Sequence, residues 1–203
     1  PVGAAFFAAG FLYPALIGGD IGCGMSLWQT DIRMPGINQD KLEKRLGNMD
    51  HPLEDDERQE LWPEAQPVTG LGYAPGTIGR GNHFAELLVP DEILEPEQAA
   101  LAGLDGKRLQ LLVHSGSRGV GGAILNRHLS RHQHAGLAEG TPEALAYLEQ
   151  HDAALQYAQQ NRELIGRRIL GRLRASGARL VDIHHNFIQA AVVEGSRGWL
   201  HRK

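Results

Sequence analysis

The first 19 residues are apolar or small without any helical period, and none carries a charge, a pattern that a signal peptide or membrane span would share. The basic start of a signal peptide is missing, and Gly3, Gly10, Pro14, Gly18 and Gly19 interrupt the run. Two buried strands joined near Tyr13 and Pro14 are therefore expected. Further along, residues 25–32 and 108–113 read as strands, and residues 82–89 end in a third apolar strand-like run. Residues 40–49 predict a short charged helix or turn, and the polar stretch 50–66 predicts surface loop and helix. A glycine-rich passage follows at 70–81. Thr141 is placed to cap a helix with Pro142 at its first position, and the helical region runs towards Gly177. Along it Leu145, Leu148, Leu155, Ile165, Ile169 and Leu173 recur near helical spacing and predict a core-facing side. Residues 178–183 read as a strand ending in His184, His185 and Asn186. No internal repeat, heptad array or low-complexity linker is present.

Composition narrows the class. The chain has 203 residues, 42% apolar and 22% charged, enough for a buried core and ordinary for a soluble globular protein, so one domain over residues 1–203 is expected. A single cysteine, Cys23, excludes an intrachain disulfide and fits a reducing cytoplasm, with no membrane partner. The formal net charge of −4 offers no overall attraction to nucleic acid, so RNA binding would need a local basic patch. Between Arg162 and Arg179 six arginines stand against one acid, Glu163. That run reads either as an RNA-backbone surface or as a solvated helix face.

Metal-capable side chains recur beside glycines or strand ends: Asp20 with Cys23, His83, His114, and His184 with His185. A thiolate, imidazoles and a carboxylate together suit a transition ion such as manganese, zinc or iron, and glycines let backbone and ligand come close. Cys23 lies in Asp-Ile-Gly-Cys-Gly, where the flanking glycines give no packing reason for a thiol. His51, His128, His132, His134, His151 and His201 lie in polar or helical surroundings and read as structural or surface histidines. The segment from His114 to Gly122 follows a strand and precedes a helical pattern, a place where backbone amides gather around phosphate. It matches neither the Rossmann nor the P-loop fingerprint. If residues 82–89 are extended throughout, Asn82 and Glu86 point one way and His83 the other.

Four motifs in order, Asp-Ile-Gly-Cys-Gly-Met, Gly-Arg-Gly-Asn-His-Phe-Ala-Glu, His-Ser-Gly-Ser-Arg-Gly and His-His-Asn, resemble those of RtcB RNA ligases. The resemblance spans residues 1–203, and residues 1–30 look closer to the RtcB homologues encoded beside a release-factor-H gene. It implies a mixed α/β (α+β) fold with sheets around a central dinuclear metal cleft and peripheral helices. It implies that Cys23 bridges two Mn(II) ions, with Asp20 and His83 completing one site and His114 and His185 the other. Asn82, Glu86 and Asn186 would contact the guanylate of GTP. The implied reaction joins RNA 3′-phosphate or 2′,3′-cyclic phosphate ends to 5′-hydroxyl ends through a histidine–GMP intermediate, in RNA repair or tRNA splicing, with room for an accessory activator.

One departure is large. The family's guanylylated histidine sits in His-Gly-Ala-Gly-Arg, which does not occur here, nor does the Asp-x-His-Pro-Gly segment that precedes the first motif in the family. The expectation is an internal, metal-binding piece of a longer ligase, truncated at both ends and inactive by itself. A dinuclear metal-dependent phosphoesterase and a non-catalytic RNA-binding module remain alternatives from the residues alone.

Overall fold

A computed structural model of the chain describes residues 3–34, 38–49, 51–64 and 75–203. Parts of the polar stretch 50–66 and of the glycine-rich passage 70–81 lie outside these residues, as do Pro1 and Val2 of the opening run.

The fold is α+β, and every strand pairing among the described residues is antiparallel. A four-stranded sheet, the site's platform, runs β4 (Phe84–Leu88), β5 (Arg108–Ser115), β3 (Gly24–Arg33), β7 (Gly177–His184) in spatial order. A second sheet places β1 (Ala5–Ala8) and β8 (Phe187–Val193) on either side of β9 (Ser196–Arg202), and β2 (Phe11–Leu12) pairs with β6 (Leu137–Ala138). The helices are α1 (Pro14–Ile17), α2 (Gln39–Leu46), α3 (Asp55–Leu61), α4 (Pro96–Leu101), α5 (Gly119–His132) and α6 (Pro142–Leu173). No helix among the described residues is long and apolar enough to cross a membrane.

Helix α6, about 48 Å long at 1.5 Å per residue, is the spine. The Thr141 hydroxyl accepts the Ala144 amide at 3.3 Å and Pro142 occupies the first turn, as the sequence predicts. Its first half packs Ala144, Tyr147, Ala154 and Tyr157 against Ile124 of α5 and Leu12 of β2. Its second half buries Ile165, Ile169 and Leu173 against Trp28, Leu111 and Val113 of the platform. Leu145 departs from the expected apolar side: it is 59% exposed, because the buried face of the first turns runs through Ala144, Tyr147, His151 and Ala154, and Leu145 stands beside it.

The opening run also differs from expectation. Its two strands are separated at Ala9 and Gly10, where Gly10 takes φ +72, and β1 is only partly covered. Tyr13 and Pro14 do not join them; Pro14 starts the short helix α1, since its fixed φ suits a first helical turn.

Register places the two faces of the platform. Phe84, His114, Met25 and Ile183 stand in one cross-strand row, and Ala85, Val113, Ser26 and Asp182 in the next. Partners in a row share a face. The second row faces α6, and the first faces away from it, leaving Met25 and Ile183 among the exposed large apolar side chains.

Candidate metal centre

Antiparallel pairing explains why distant motifs meet. The start of β3 lies beside the ends of β5 and β7, and β4 begins at the same edge. Cys23 therefore sits just before β3, His83 just before β4, His114 at the penultimate residue of β5 and His185 just after β7. Two glycines permit the approach. A Cβ on Gly116 would stand 2.3 Å from Asp20 Oδ1, and one on Gly24 would stand 2.2 Å from the Ile183 carbonyl oxygen.

The side chains converge on one sulfur. Cys23 Sγ lies 3.1 Å from His114 Nε2, 3.3 Å from His185 Nε2 and 3.5 Å from His83 Nε2. The two imidazole nitrogens of His114 and His185 are 3.3 Å apart, and His83 Nε2 is 3.0 Å from Asp20 Oδ2. Two donor triads result, Cys23 with His114 and His185, and Asp20 with Cys23 and His83, each with its ligand atoms within 4.8 Å of one another. They share Cys23.

Hydrogen bonds orient the rings. His114 Nδ1 lies 2.8 Å from the Asn82 carbonyl, which can only accept, so the ring donates there and turns its Nε2 lone pair to the sulfur. Arg118 can only donate, and its Nη1 is 3.3 Å from His83 Nδ1, so the His83 proton resides on Nε2 and points at Asp20. Burial lowers the pKa of His114 and of His185, which keeps both imidazoles neutral. Burial also pushes the Cys23 thiol up to about 12, helped by the neighbouring Asp20 carboxylate. A metal ligand must be a thiolate, so an incoming ion has to displace that proton. At Asp20 burial pulls the carboxyl upward, but hydrogen bonds from His83 and Cys23 outweigh it and the pKa is lowered. The Asp20 side chain remains 42% exposed and marks the open side of the cluster.

The remaining candidates fall around this group in different ways. His184 belongs to neither triad; its Nδ1 turns to the Arg162 guanidinium and the Gly22 carbonyl, at 3.2 and 3.1 Å. Asn186 is buried, with Nδ2 donating to the Asp20 carbonyl at 2.5 Å and Oδ1 unpartnered among the described residues. Strand β4 begins only at Phe84, so the expected alternation does not reach Asn82 and His83, which lie in the turn after Gly79 and Gly81, both at positive φ. Glu86 is exposed on the same sheet face as His114, and Asn82 is exposed before the strand.

Much of the arginine run departs from both surfaces that the sequence suggested, although Arg174 and Arg179 are exposed. Arg162 is 0% exposed and donates to Asp182 at 2.9 and 2.5 Å, to the Gly22 carbonyl at 2.8 Å and to the Ser115 carbonyl at 3.0 Å. Arg168, also buried, donates to the carbonyls of Met49, His51 and Gly76. Arg167 and Arg179 clamp Glu163 at 2.7 Å each, and Arg172 donates to the carbonyls of Leu46 and Asn48. Buried Arg162 and Arg168 are thereby removed from any RNA-facing set. Arg162 ties together the segments bearing Cys23, His114 and His184. A charge run gives no hint of this, because the partner Asp182 lies on another element.

A sulfur shared between imidazole and carboxylate donors at the edge of an antiparallel sheet defines an α+β protein with a candidate two-site metal centre. The sequence profile described as tRNA-splicing ligase RtcB matches residues 71–203. The chain is 50% identical to the RNA-splicing ligase RtcB2 of Escherichia coli over all of its own length and 54% of that relative's. It is 31% identical to the tRNA-splicing ligase RtcB of Methanopyrus kandleri, over 81% of this chain and 20% of the relative. The RNA-splicing ligase RtcB of Mycobacterium tuberculosis matches at 34% over 47% of the chain and 25% of the relative. The chain belongs to the RtcB family of RNA ligases, and it spans about half the length of the E. coli relative.

Proposed function

We propose that this chain is the metal-holding core, a single domain, of a GTP-dependent RNA ligase that joins 3′-phosphate or 2′,3′-cyclic phosphate ends to 5′-hydroxyl ends. The observation that carries the proposal is the pair of donor triads meeting at Cys23 Sγ. Cys23 would be shared between two Mn(II) ions, Asp20 and His83 completing the ligands of one and His114 and His185 those of the other. The donor set, sulfur and nitrogen beside a single carboxylate, fits a transition ion rather than magnesium or calcium, and the choice of manganese among such ions follows from the family resemblance. When bound, such ions orient the phosphates of GTP and offset the charge developed in phosphoryl transfer.

This chain's own residues supply the preorganisation. The Asn82 carbonyl fixes the His114 tautomer, and Arg162 holds the Gly22 and Ser115 carbonyls at fixed separation beneath the ligands. Asn82, Glu86 and Asn186 contact the guanine nucleotide. The histidine that carries GMP belongs to the His-Gly-Ala-Gly-Arg motif outside these residues, so RNA sealing belongs to the full-length protein. A cytoplasmic setting suits the free, buried Cys23 thiol.

The test compares the 203-residue chain with a version extended through that histidine motif, each incubated with Mn(II) and radiolabelled GTP and then denatured. Label is expected on the extended version alone, together with sealing of RNA. Label retained on the shorter chain would place the nucleophile among residues 1–203. Hydrolysis of RNA end phosphates without GTP would instead identify a phosphoesterase.

A further inference from the structure

Two of the imidazoles beside Cys23 are held in opposite tautomers. His114 donates from Nδ1 to the Asn82 carbonyl at 2.8 Å, so its Nε2 faces the sulfur with a free lone pair. At His83 the directions reverse: Arg118 Nη1 donates to Nδ1 at 3.3 Å, and Nε2 donates to Asp20 Oδ2 at 3.0 Å. His83 Nε2 is also the ring atom that stands beside Cys23 Sγ, at 3.5 Å, and so the one placed to complete the triad of Asp20, Cys23 and His83. A neutral imidazole binds an ion through the nitrogen that carries no proton. His114 is ready to bind, and His83 is turned the wrong way.

Arg118 holds His83 so at a cost. Its backbone takes φ 58 and ψ −137, a conformation open to glycine, and keeping another residue there costs about 1–3 kcal/mol. Glycine would be free of that cost, so what the position retains is the guanidinium. Its other contact fixes its direction, since Nε donates to the hydroxyl of buried Thr77 at 3.2 Å. Room for the approach comes from Gly79, where a Cβ would collide with Arg118 Nη1 and Cζ and would also press on His83 Nδ1.

We propose that Arg118 is a latch on one of the two ion sites, holding His83 with its ligand nitrogen protonated until an ion displaces that proton. On loading, one proton leaves Nε2 for water and another is taken up from water at Nδ1, so the ring stays neutral. Nδ1 is then a donor facing a donor, and the guanidinium gives up His83 while keeping Thr77. Arg118 is thus a positioning residue that acts through His83, setting the affinity of the Asp20 and His83 site and leaving the His114 and His185 site alone. This rests on the reading of the cluster as a two-ion centre.

The experiment titrates full-length protein with Mn(II) and reads the free ion by its electron paramagnetic resonance signal, in wild type, Arg118→Gly, His83→Ala and the double variant. Glycine suits the backbone at 118, so the fold is kept. The ion lost in His83→Ala identifies the latched site. Arg118→Gly is expected to tighten that site about fivefold, the worth of the hydrogen bond that loading must break, and in the His83→Ala background to leave the remaining ion unchanged. Tightening of both ions alike would mean relief of charge repulsion and would overturn the latch, as would weaker binding. Nitrogen-15 resonances of the His83 ring in the metal-free protein give a second reading: Nδ1 is expected bare and Nε2 protonated, and a protonated Nδ1 would also overturn it. Wild-type protein that binds no Mn(II) would sink the two-ion reading together with this inference. Two ions bound with no response to Arg118→Gly would sink the latch alone.

Discussion

Arg162 and Asp182 form a bidentate ion pair beneath the candidate metal centre, at 2.9 and 2.5 Å, with side chains 0% and 5% exposed. The remaining Arg162 donors reach the carbonyls of Gly22 and Ser115, so the pair braces the segments that carry Cys23 and His114. Breaking one side of a buried pair strands a charge, at a cost of about 3–5 kcal/mol. Asp182→Ala should therefore lower the melting temperature of the full-length protein sharply and weaken Mn(II) binding, although Asp182 touches no ligand atom. Arg162→Met with Asp182→Leu together should recover much of the stability without recovering the metal. Thermal unfolding and metal titration on the same samples check both halves.

If Cys23 bridges two ions, its loss differs in kind from the loss of a terminal ligand. Cys23→Ala should abolish both sites, whereas Asp20→Ala or His185→Ala should weaken one site more than the other. His184→Ala should leave both ions bound, since its ring turns to Arg162 and Gly22 rather than to the sulfur. Elemental analysis of the purified full-length variants decides. Two ions per chain in Cys23→Ala would reject the bridging role, and equal metal loss from His184→Ala and His185→Ala would reject the distinction between them.

The convergence of Asp20, Cys23, His83, His114 and His185 was legible from sequence because metal-capable side chains recur at or near strand ends, and antiparallel topology brings those ends to one edge. The long helix was legible too, through the Thr141 and Pro142 start and the apolar positions after Leu148. Arg162 was not. Its meaning depends on Asp182 and on the backbone carbonyls of Gly22 and Ser115, contributed by other parts of the chain, and a neighbour-by-neighbour reading of charge sees only a basic run.

For the nucleotide, Asn82, Glu86 and Asn186 offer a test that leaves the metal in place. Alanine at Asn82 or Glu86 removes an exposed side chain, so GTP affinity should fall while Mn(II) stoichiometry and melting temperature hold. Asn186→Ala should also cost stability, because its amide holds the Asp20 carbonyl. Calorimetric titration of GTP into the three full-length variants reads this directly, and undiminished affinity in all of them would show that the nucleotide is bound elsewhere.

The second buried pair of histidines sets an acid limit on the fold. His151 Nε2 accepts the Ile188 amide at 3.0 Å, and His201 Nε2 accepts the Tyr13 amide at 2.8 Å; both rings are 0% exposed. Burial lowers both pKa values, and the Asp152 carboxylate beside His151 only partly opposes this. The unfolded chain therefore takes up protons at a higher pH than the native protein does. Stability from these groups is fully present above the ordinary histidine value, about 6.5, and is lost as pH falls below it towards the depressed native values. Each such proton contributes a slope of about 1.4 kcal/mol per pH unit over that window. His151→Gln keeps an acceptor for Ile188 and a donor for Asp152 but cannot titrate, so it should flatten the slope between about pH 6.5 and 5 by up to one proton's worth. Urea unfolding at a series of pH values measures this in the metal-free protein. An unchanged slope would mean that His151 is already protonated in the native fold, which would require the Ile188 amide to have lost its acceptor.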